Sequence, residues 1–389
     1  MHRLKLRENV MIDYLTLRVI WWALLGVLLV GFAVMDGFDL GAAMLHPFVA
    51  RNDVQRRVIL NTIGPVWEGN QVWLILAGGA TFAAWPYVYS VSFSGFYLAM
   101  MLVLAGLILR PVAIAFRSKF ESSKWRDAWD WIFFISGLLP SILFGVAFGN
   151  LLLGAPFHFD REMRVIYEGG LVGMLHPFAV LCGLVSAAML VMQGAVWITL
   201  KTEGEVADFA RRVGQDSALA LLLLFSAAGL WVAFGVQGYT VTSLANPVGP
   251  SNPLFKAVSR ETGAWLTNYR LHPWTLMAPI AVYGGAIVAR FMLSFRFNRL
   301  AIICSSVSVA GVVTTAGFAM FPFLMPSSTS PNESLTVWDS SSSQMTLNLM
   351  LYAAIFFLPI ILAYTAWVYR VLRGPITEED IQGGRDQYY

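Results

Sequence analysis

The sequence predicts an all-α fold: a polytopic membrane helical bundle of about nine transmembrane helices, forming a single integral-membrane domain over residues 1–389. Three observations carry this. Apolar residues make up 57% of the chain and charged residues 13%, against about 45–50% and 25% in soluble domains. Apolar runs of spanning length, about 20 residues, recur from end to end. Glycine and alanine are frequent inside those runs, which lets helices approach closely in lipid.

The first run, 14–46, is far longer than the ~7–15-residue core of a cleavable signal and lacks a small-residue cleavage pattern, so it reads as a span. Runs 58–84 and 88–116 follow, separated only by WPYVYS. Then come 127–153, 166–200, 214–238, 272–295, 299–325 and 346–371. Segment 240–274 holds Pro/Gly breaks and predicts an amphipathic turn or two lying on the surface. Segment 325–344 is polar and has neither Lys nor Arg. Its Asn332-Glu333-Ser334 fits a glycosylation acceptor, which matters only in a secretory pathway. MLHPF occurs at 44–48 and 174–178, closing one span and opening another, and is not a repeat. Cys182 and Cys304 lie alone in separate apolar runs and read as small core residues.

Alternation of nine spans sorts the cations into two sets. One holds Arg51, Arg56, Arg57, Arg117, Lys119, Lys124, Arg126, Lys201, Arg211, Arg212, Arg290, Arg296, Arg299, Arg370, Arg373 and Arg385. The other holds Arg161, Arg164, Lys256, Arg260, Arg270 and the amino-terminal residues. The first outnumbers the second roughly two to one and is expected in the cytoplasm, with the carboxyl terminus inside and the amino terminus periplasmic. The leader MHRLKLREN runs against this. Either Met1 or Met11 serves as the start, and a start at Met11, with 1–10 a non-native extension, removes the conflict. A net charge of +3 is too small to suggest nucleic acid.

Polar groups inside the spans carry the functional signal. VMDGFDLGAAMLHPF (34–48) places Asp36 and Asp39 on one helix face. Counting 1.5 Å per residue puts Asp39 about 12 Å and Arg110 about 10 Å from the same membrane face. An Asp39–Arg110 ion pair is therefore expected, with Pro111 loosening the helix beside it. Helix fastening accounts for such a cluster without further function. In GPVWEGNQVWLI (64–75), the same count places Glu68 about 16 Å deep, near the midplane, with no cation at its level. An acid so placed is a candidate proton carrier. A neutral glutamic acid bonded to a carbonyl is the plainer reading. Trp67, Asn70, Gln71 and Trp73 supply hydrogen bonds and flat surfaces around it. His46, His176 and His272 each precede proline at a span edge and read as caps or interfacial groups rather than haem ligands. No phosphate-binding loop, metal site or nucleophilic triad appears.

The chain resembles subunit II of the bacterial cytochrome bd-type ubiquinol oxidases almost end to end from Met11. The resemblance rests on IDYLTLRVIWWALLGVLLVGFAVMDGFDLG (12–41), RNDVQRRVILNTIGPVWEGNQVWLILAGGATFAAWP (51–86) and SGFYLAMMLVLAGLILRPVAIAFRSK (94–119). It continues through WDWIFFISGLLPSILFGVAFGNLLLGAPF (129–157), GAWLTNY (263–269), TAGFAMFPFLMPSS (315–328) and SLTVWDSSSSQMTLNLM (334–350). It implies a complex that oxidises quinol, reduces O2 to water and builds proton-motive force without pumping. It further implies two b-type haems and haem d in subunit I, none in subunit II, and two four-helix bundles with one peripheral helix. Small single-span accessory subunits are implied as partners, and a ubiquinone bound in subunit II as a structural filler.

By residue, Glu68 matches the acid of W-[DE]-G-N, implying part of a proton path toward haem d, and Lys119 matches a basic residue at its inner mouth. Asp39 and Arg110 match the GFD and RP positions. Trp73 matches a tryptophan bordering an oxygen route. Relatives often carry Asp where Glu68 stands, so the water contacts there differ by one methylene. A secondary transporter coupling ions through Asp36, Asp39 and Glu68 is the rival reading, though neither paired repeats nor broken midplane helices stand out. A purely structural scaffold is the third.

Overall fold

The computed structural model describes residues 12–244 and 248–383, so the leader, the choice of start and Arg385 lie outside the described residues. The chain opens with α1 (Tyr14–Val49), whose 36 residues are capped by the Asp13 side chain accepting from Thr16 N. At 1.5 Å per residue α1 is about 54 Å long and overreaches a ~30 Å hydrocarbon layer. Next come α2 (Asp53–Ile63), α3 (Trp67–Ala84), α4 (Pro86–Gly95), α5 (Tyr97–Phe116) and α6 (Ser123–Leu153). The second half holds α7 (Pro177–Lys201), α8 (Gly204–Phe234), the short α9 (Thr267–Leu271), α10 (Met277–Ser294), α11 (Asn298–Met320), α12 (Gln344–Val371) and α13 (Glu378–Gln382).

Among the described residues, eight helices are long and apolar enough to cross a membrane: α1, α5, α6, α7, α8, α10, α11 and α12. The expected span 58–84 is not one helix. The chain turns at 64–66 around Pro65, and the 18-residue α3 is diluted by Glu68, Asn70 and Gln71. The expected span 88–116 likewise divides at Phe96 into α4 and α5. The fifth span starts at Pro177, not 166. Residues before it form an antiparallel hairpin of β1 (Phe157–Phe159) and β2 (Val165–Tyr167). In 240–274 the surface helix is confined to α9, because β3 (Gln237–Leu244) pairs with β4 (Lys256–Thr262) across a bulge. Alternating Thr, Val and Ser in those strands satisfy their backbone by pairing. β5 (Phe323–Met325) and β6 (Leu335–Thr336) form a third hairpin.

The helices sort into two groups. α7, α8, α10 and α11 close a ring of four, each packing on the next. α1 packs on α3 and α6, and α6 on α5, to make the second group, joined to the first through α1–α7 and α6–α7. α12 touches α1 and α3 and stays peripheral. Small residues set the central seam: a Cβ added to Gly41 would stand 2.0 Å from Leu190 O and 2.8 Å from Gly194 Cα, so α1 and α7 meet backbone to backbone.

Chain alternation gathers the hairpins at one end of the bundle and the Arg-rich turns at the other, here the basic end. At the hairpin end, Arg18 is fully buried, donating to Ser341 Oγ (2.8 Å) and Ser251 Oγ (3.1 Å). Lys256 Nζ stands 2.9 Å from Asp339 there, and burial lowers its ammonium below the usual value.

Candidate functional site

α1 is enclosed by α3, α6 and α7, so its two aspartates are sealed from solvent: Asp36 and Asp39 are both 0% exposed. α5 brings Arg110, also 0% exposed, to this face one residue before Pro111. Its Nη2 lies 2.7 Å from Asp36 Oδ1 and donates to Gln71 Oε1 at 3.2 Å. The expected Asp39–Arg110 pair is therefore not the contact formed; the arginine meets the acid one turn earlier. Counting residues resolves depth no better than a turn, about 5.4 Å, and two acids on one face lie within that margin. Asp39 instead accepts from Asn70 Nδ2 (2.8 Å), and Asn70 Oδ1 accepts from Tyr369 Oη (2.7 Å) on α12. Tyr369 is held edge-on to Phe38 and Trp197, which stack on each other at 4.0 Å. Two acids thus face one guanidinium, and Arg110 stands 5.7 Å from the Trp67 ring.

Glu68 sits elsewhere. It lies in the first turn of α3, exposed beside Gly69, Val72, Ile75 and Phe82, on the face opposite Asn70 and Trp73. Among the described residues it has no hydrogen-bond or ion-pair partner. Its expected midplane depth is corrected too. The count ran through the turn at 64–66 as if it were helix. Asn70 touches Asp39, which places Glu68 about 3 Å nearer the basic end than that contact. Trp73 is buried against α1, where a Cβ on Gly31 would come 2.5 Å from its ring. Lys119 is exposed in the tight turn Arg117–Lys119 after α5. The structure thus joins Asp36, Asp39, Asn70 and Arg110, and leaves Glu68 and Lys119 outside their cluster.

A second cluster, at the basic end, escaped the sequence reading. Asp130 on α6 is gripped by Arg117 (2.5 and 3.2 Å) and by Arg56 Nη1 (2.7 Å), with His46 Nδ1 3.4 Å away. Arg117 also reaches Asp53 (2.9 Å), which Arg126 holds from the far side (3.1 Å). An aspartate just inside an apolar run, as in WDWIFF, is the signal that could have marked it. Tyr369 was missed for a different reason: a tyrosine at a span end looks like any interfacial anchor.

His46 Nδ1 stands 3.4 Å from Asp130 without a hydrogen bond, His176 caps α7 by accepting from Phe178 N, His158 faces Glu168 at 3.3 Å, and His272 precedes a 3-10 turn. No group of three His, Cys, Asp or Glu able to hold a metal occurs among the described residues.

The family model for cytochrome bd terminal oxidase subunit II matches residues 17–372. The chain belongs to that family. Cytochrome bd-I ubiquinol oxidase subunit 2 of Escherichia coli (strain K12) is 50% identical over 381 residues, covering 97% of this chain and all of the relative. Cytochrome bd ubiquinol oxidase subunit 2 of Bacillus subtilis is 32% identical over 370 residues, covering 94% of this chain and 98% of its own. The solved bd oxidase from Geobacillus thermodenitrificans shares the fold, with a TM-score of 0.66 at 17% identity, over 92% of this chain and 99% of that one. Membership in this oxidase family sets aside the transporter reading and makes the chain a multi-pass protein of the bacterial inner membrane.

Proposed function

We propose that this chain is the non-redox half of a quinol:dioxygen oxidoreductase, carrying no haem and passing protons to a haem-bearing subunit I. Making water at an oxygen-reducing centre consumes protons, and taking them from the cytoplasm builds proton-motive force without a pump. The two b-type haems and haem d belong to the partner, which supplies all electron transfer. With the basic end in the cytoplasm and the amino terminus in the periplasm, Lys119 stands at the inner mouth and Glu68 farther in.

One observation carries this reading: Glu68 is an acid on an apolar helix face that its own chain leaves uncovered. In lipid such a group is costly, the insertion-scale figure of about 2.5–3.5 kcal/mol at a helix centre being the upper bound here. A neighbouring subunit that covers the face and takes up its protons gives the residue a reason to persist. Trp73, wedged between α3 and α1, borders the oxygen route in the same proposal. A ubiquinone held in this subunit and single-span accessory subunits complete the assembly.

Glu68→Gln tests the reading in the intact oxidase. Quinol-oxidase turnover should fall about a hundredfold or more while the haem spectrum and yield stay close to wild type, the contribution of one proton-transfer group being about 10²–10⁴. Unchanged turnover removes Glu68 from the path.

A further inference from the structure

A cavity of about 560 Å³ opens at the basic end between the ends of α2, α7, α11 and α12. Its lining includes Asn61, Trp197, Leu200, Lys201, Arg299 and Arg373, and no acid. Arg299 and Arg373 are exposed and have no hydrogen-bond or ion-pair partner among the described residues. Nearby Arg56, Arg117 and Arg126, by contrast, are all committed to aspartates. Lys201 Nζ spends two of its three protons on the carbonyls of Leu372 (2.5 Å) and Gly374 (2.9 Å), fixing an ammonium at the wall with one donor left over.

Asn61 adds a second, independent feature. It is 1% exposed, its Nδ2 donates to Arg57 O, and its Oδ1 is buried without a partner. A buried acceptor is costly to leave unpaired, about 1–3 kcal/mol. Inorganic phosphate brings at most one or two hydroxyls, and these sit on the same phosphorus that the arginines and Lys201 hold. A phosphate ester with a hydroxyl on its alcohol part satisfies both the cations and Asn61.

We infer that this cavity binds a hydroxylated phosphate ester, its phosphate between Arg299, Arg373 and Lys201 and a hydroxyl donating to Asn61 Oδ1. Arginine forks and a lysine point charge are the usual phosphate partners. The cavity lies at the level of the span ends, where basic pockets between helices meet lipid head groups. Two sources share this chemistry: the glycerol phosphate head of an anionic phospholipid, and a soluble ester of the same kind.

The test uses the intact oxidase. Wild type and Arg299→Gln/Arg373→Gln are placed in nanodiscs of phosphatidylglycerol or of phosphatidylcholine, and retained lipid is counted by native mass spectrometry. In parallel, glycerol 3-phosphate and inorganic phosphate are titrated by calorimetry. Each arginine removed should weaken the ester by roughly fivefold. Asn61→Asp, which sets a carboxylate in the cavity, should also weaken it. Lysines at 299 and 373 should restore most of the affinity. Retention of phosphatidylglycerol alone identifies the lipid head group, and saturation by glycerol 3-phosphate identifies the soluble ester; either supports the site. The inference is overturned if wild type prefers neither ester, if inorganic phosphate binds as well as glycerol 3-phosphate, or if the double variant binds equally. Should the glutamine pair fail to assemble, as read by haem content, the lysine pair and Asn61→Asp decide by the same criteria. These readouts do not involve turnover, so they stand apart from the fate of Glu68.

Discussion

The two buried charge clusters share α1 and the α5 stretch, about two helical turns apart along each, yet they are built to opposite rules. At the basic end, Asp130 is surrounded: Arg117 approaches it with two nitrogens, Arg56 with one, and His46 from α1. Counting Asp53 and Asp127, three carboxylates meet three arginines there, and two of the arginines converge on Asp130. In the inner cluster, one guanidinium serves two carboxylates, and it is Asn70, a neutral amide, that holds Asp39. The first arrangement is what fastening helices requires, since a buried ion repays its desolvation only when fully met by opposite charge and hydrogen bonds. The second leaves an acid beyond what its cation neutralises, a poor fastener and a better place for a mobile proton. Position along the same helices therefore does not decide role; the ratio of acid to cation does.

That contrast breaks most sharply at Asp130. Asp130→Ala leaves Arg117 with Asp53 alone and Arg56 with Asp127 alone, and removing one partner of a buried pair costs up to about 3–5 kcal/mol. Loss of assembled, haem-containing complex is expected, read from membrane yield and the reduced-minus-oxidised spectrum. Wild-type yield would mean that water fills the role of the carboxylate and that the cluster fastens nothing.

The inner cluster sharpens it. Arg110→Ala leaves two acids facing each other and should lower yield of the complex, less severely than Asp130→Ala because Asn70 and Gln71 remain. A double-mutant cycle on thermal stability separates the acids. Arg110 with Asp36→Asn should show a coupling of about 0.5–3 kcal/mol, and Arg110 with Asp39→Asn a smaller one. Equal couplings would mean that the guanidinium is shared and that the 2.7 Å contact to Asp36 is not the dominant one.

Much of this was legible in the residues themselves. Apolar run length found all eight long helices, because hydrocarbon thickness imposes a length that no tertiary contact overrides. The same rule failed at 58–84, where Pro65 and the polar run from Glu68 to Gln71 turn the chain inside an otherwise apolar stretch. Depth counting gathered Asp36, Asp39 and Arg110 correctly but could not choose between acids one turn apart. Glu68 stood out as an acid without a cation, and among the described residues it has no partner. Its face was not readable, since α3 is amphipathic through its neighbours rather than through a clear period. The Asp130 cluster draws residues from α1, α2, α6 and the turn after α5, and no sequence spacing announces such a convergence. The β3–β4 hairpin stayed hidden behind the Pro/Gly breaks that flank its strands.

The mildest test is Tyr369→Phe. It deletes a single hydroxyl, the donor to Asn70 Oδ1, and keeps the ring between Phe38 and Trp197. The net worth of such a hydrogen bond is about 1 kcal/mol, so the complex should assemble normally and melt slightly earlier. The consequence falls on Asn70, whose amide is then steadied only by Asp39. If the inner cluster is a fastener like its neighbour, turnover should track this small stability loss and nothing more. If its spare acid takes part in moving protons, turnover should drop by more than the stability change accounts for, while Arg56→Lys in the outer cluster, which keeps a cation beside Asp130, should leave turnover unchanged. Equal turnover losses in the two variants would erase the distinction between the clusters.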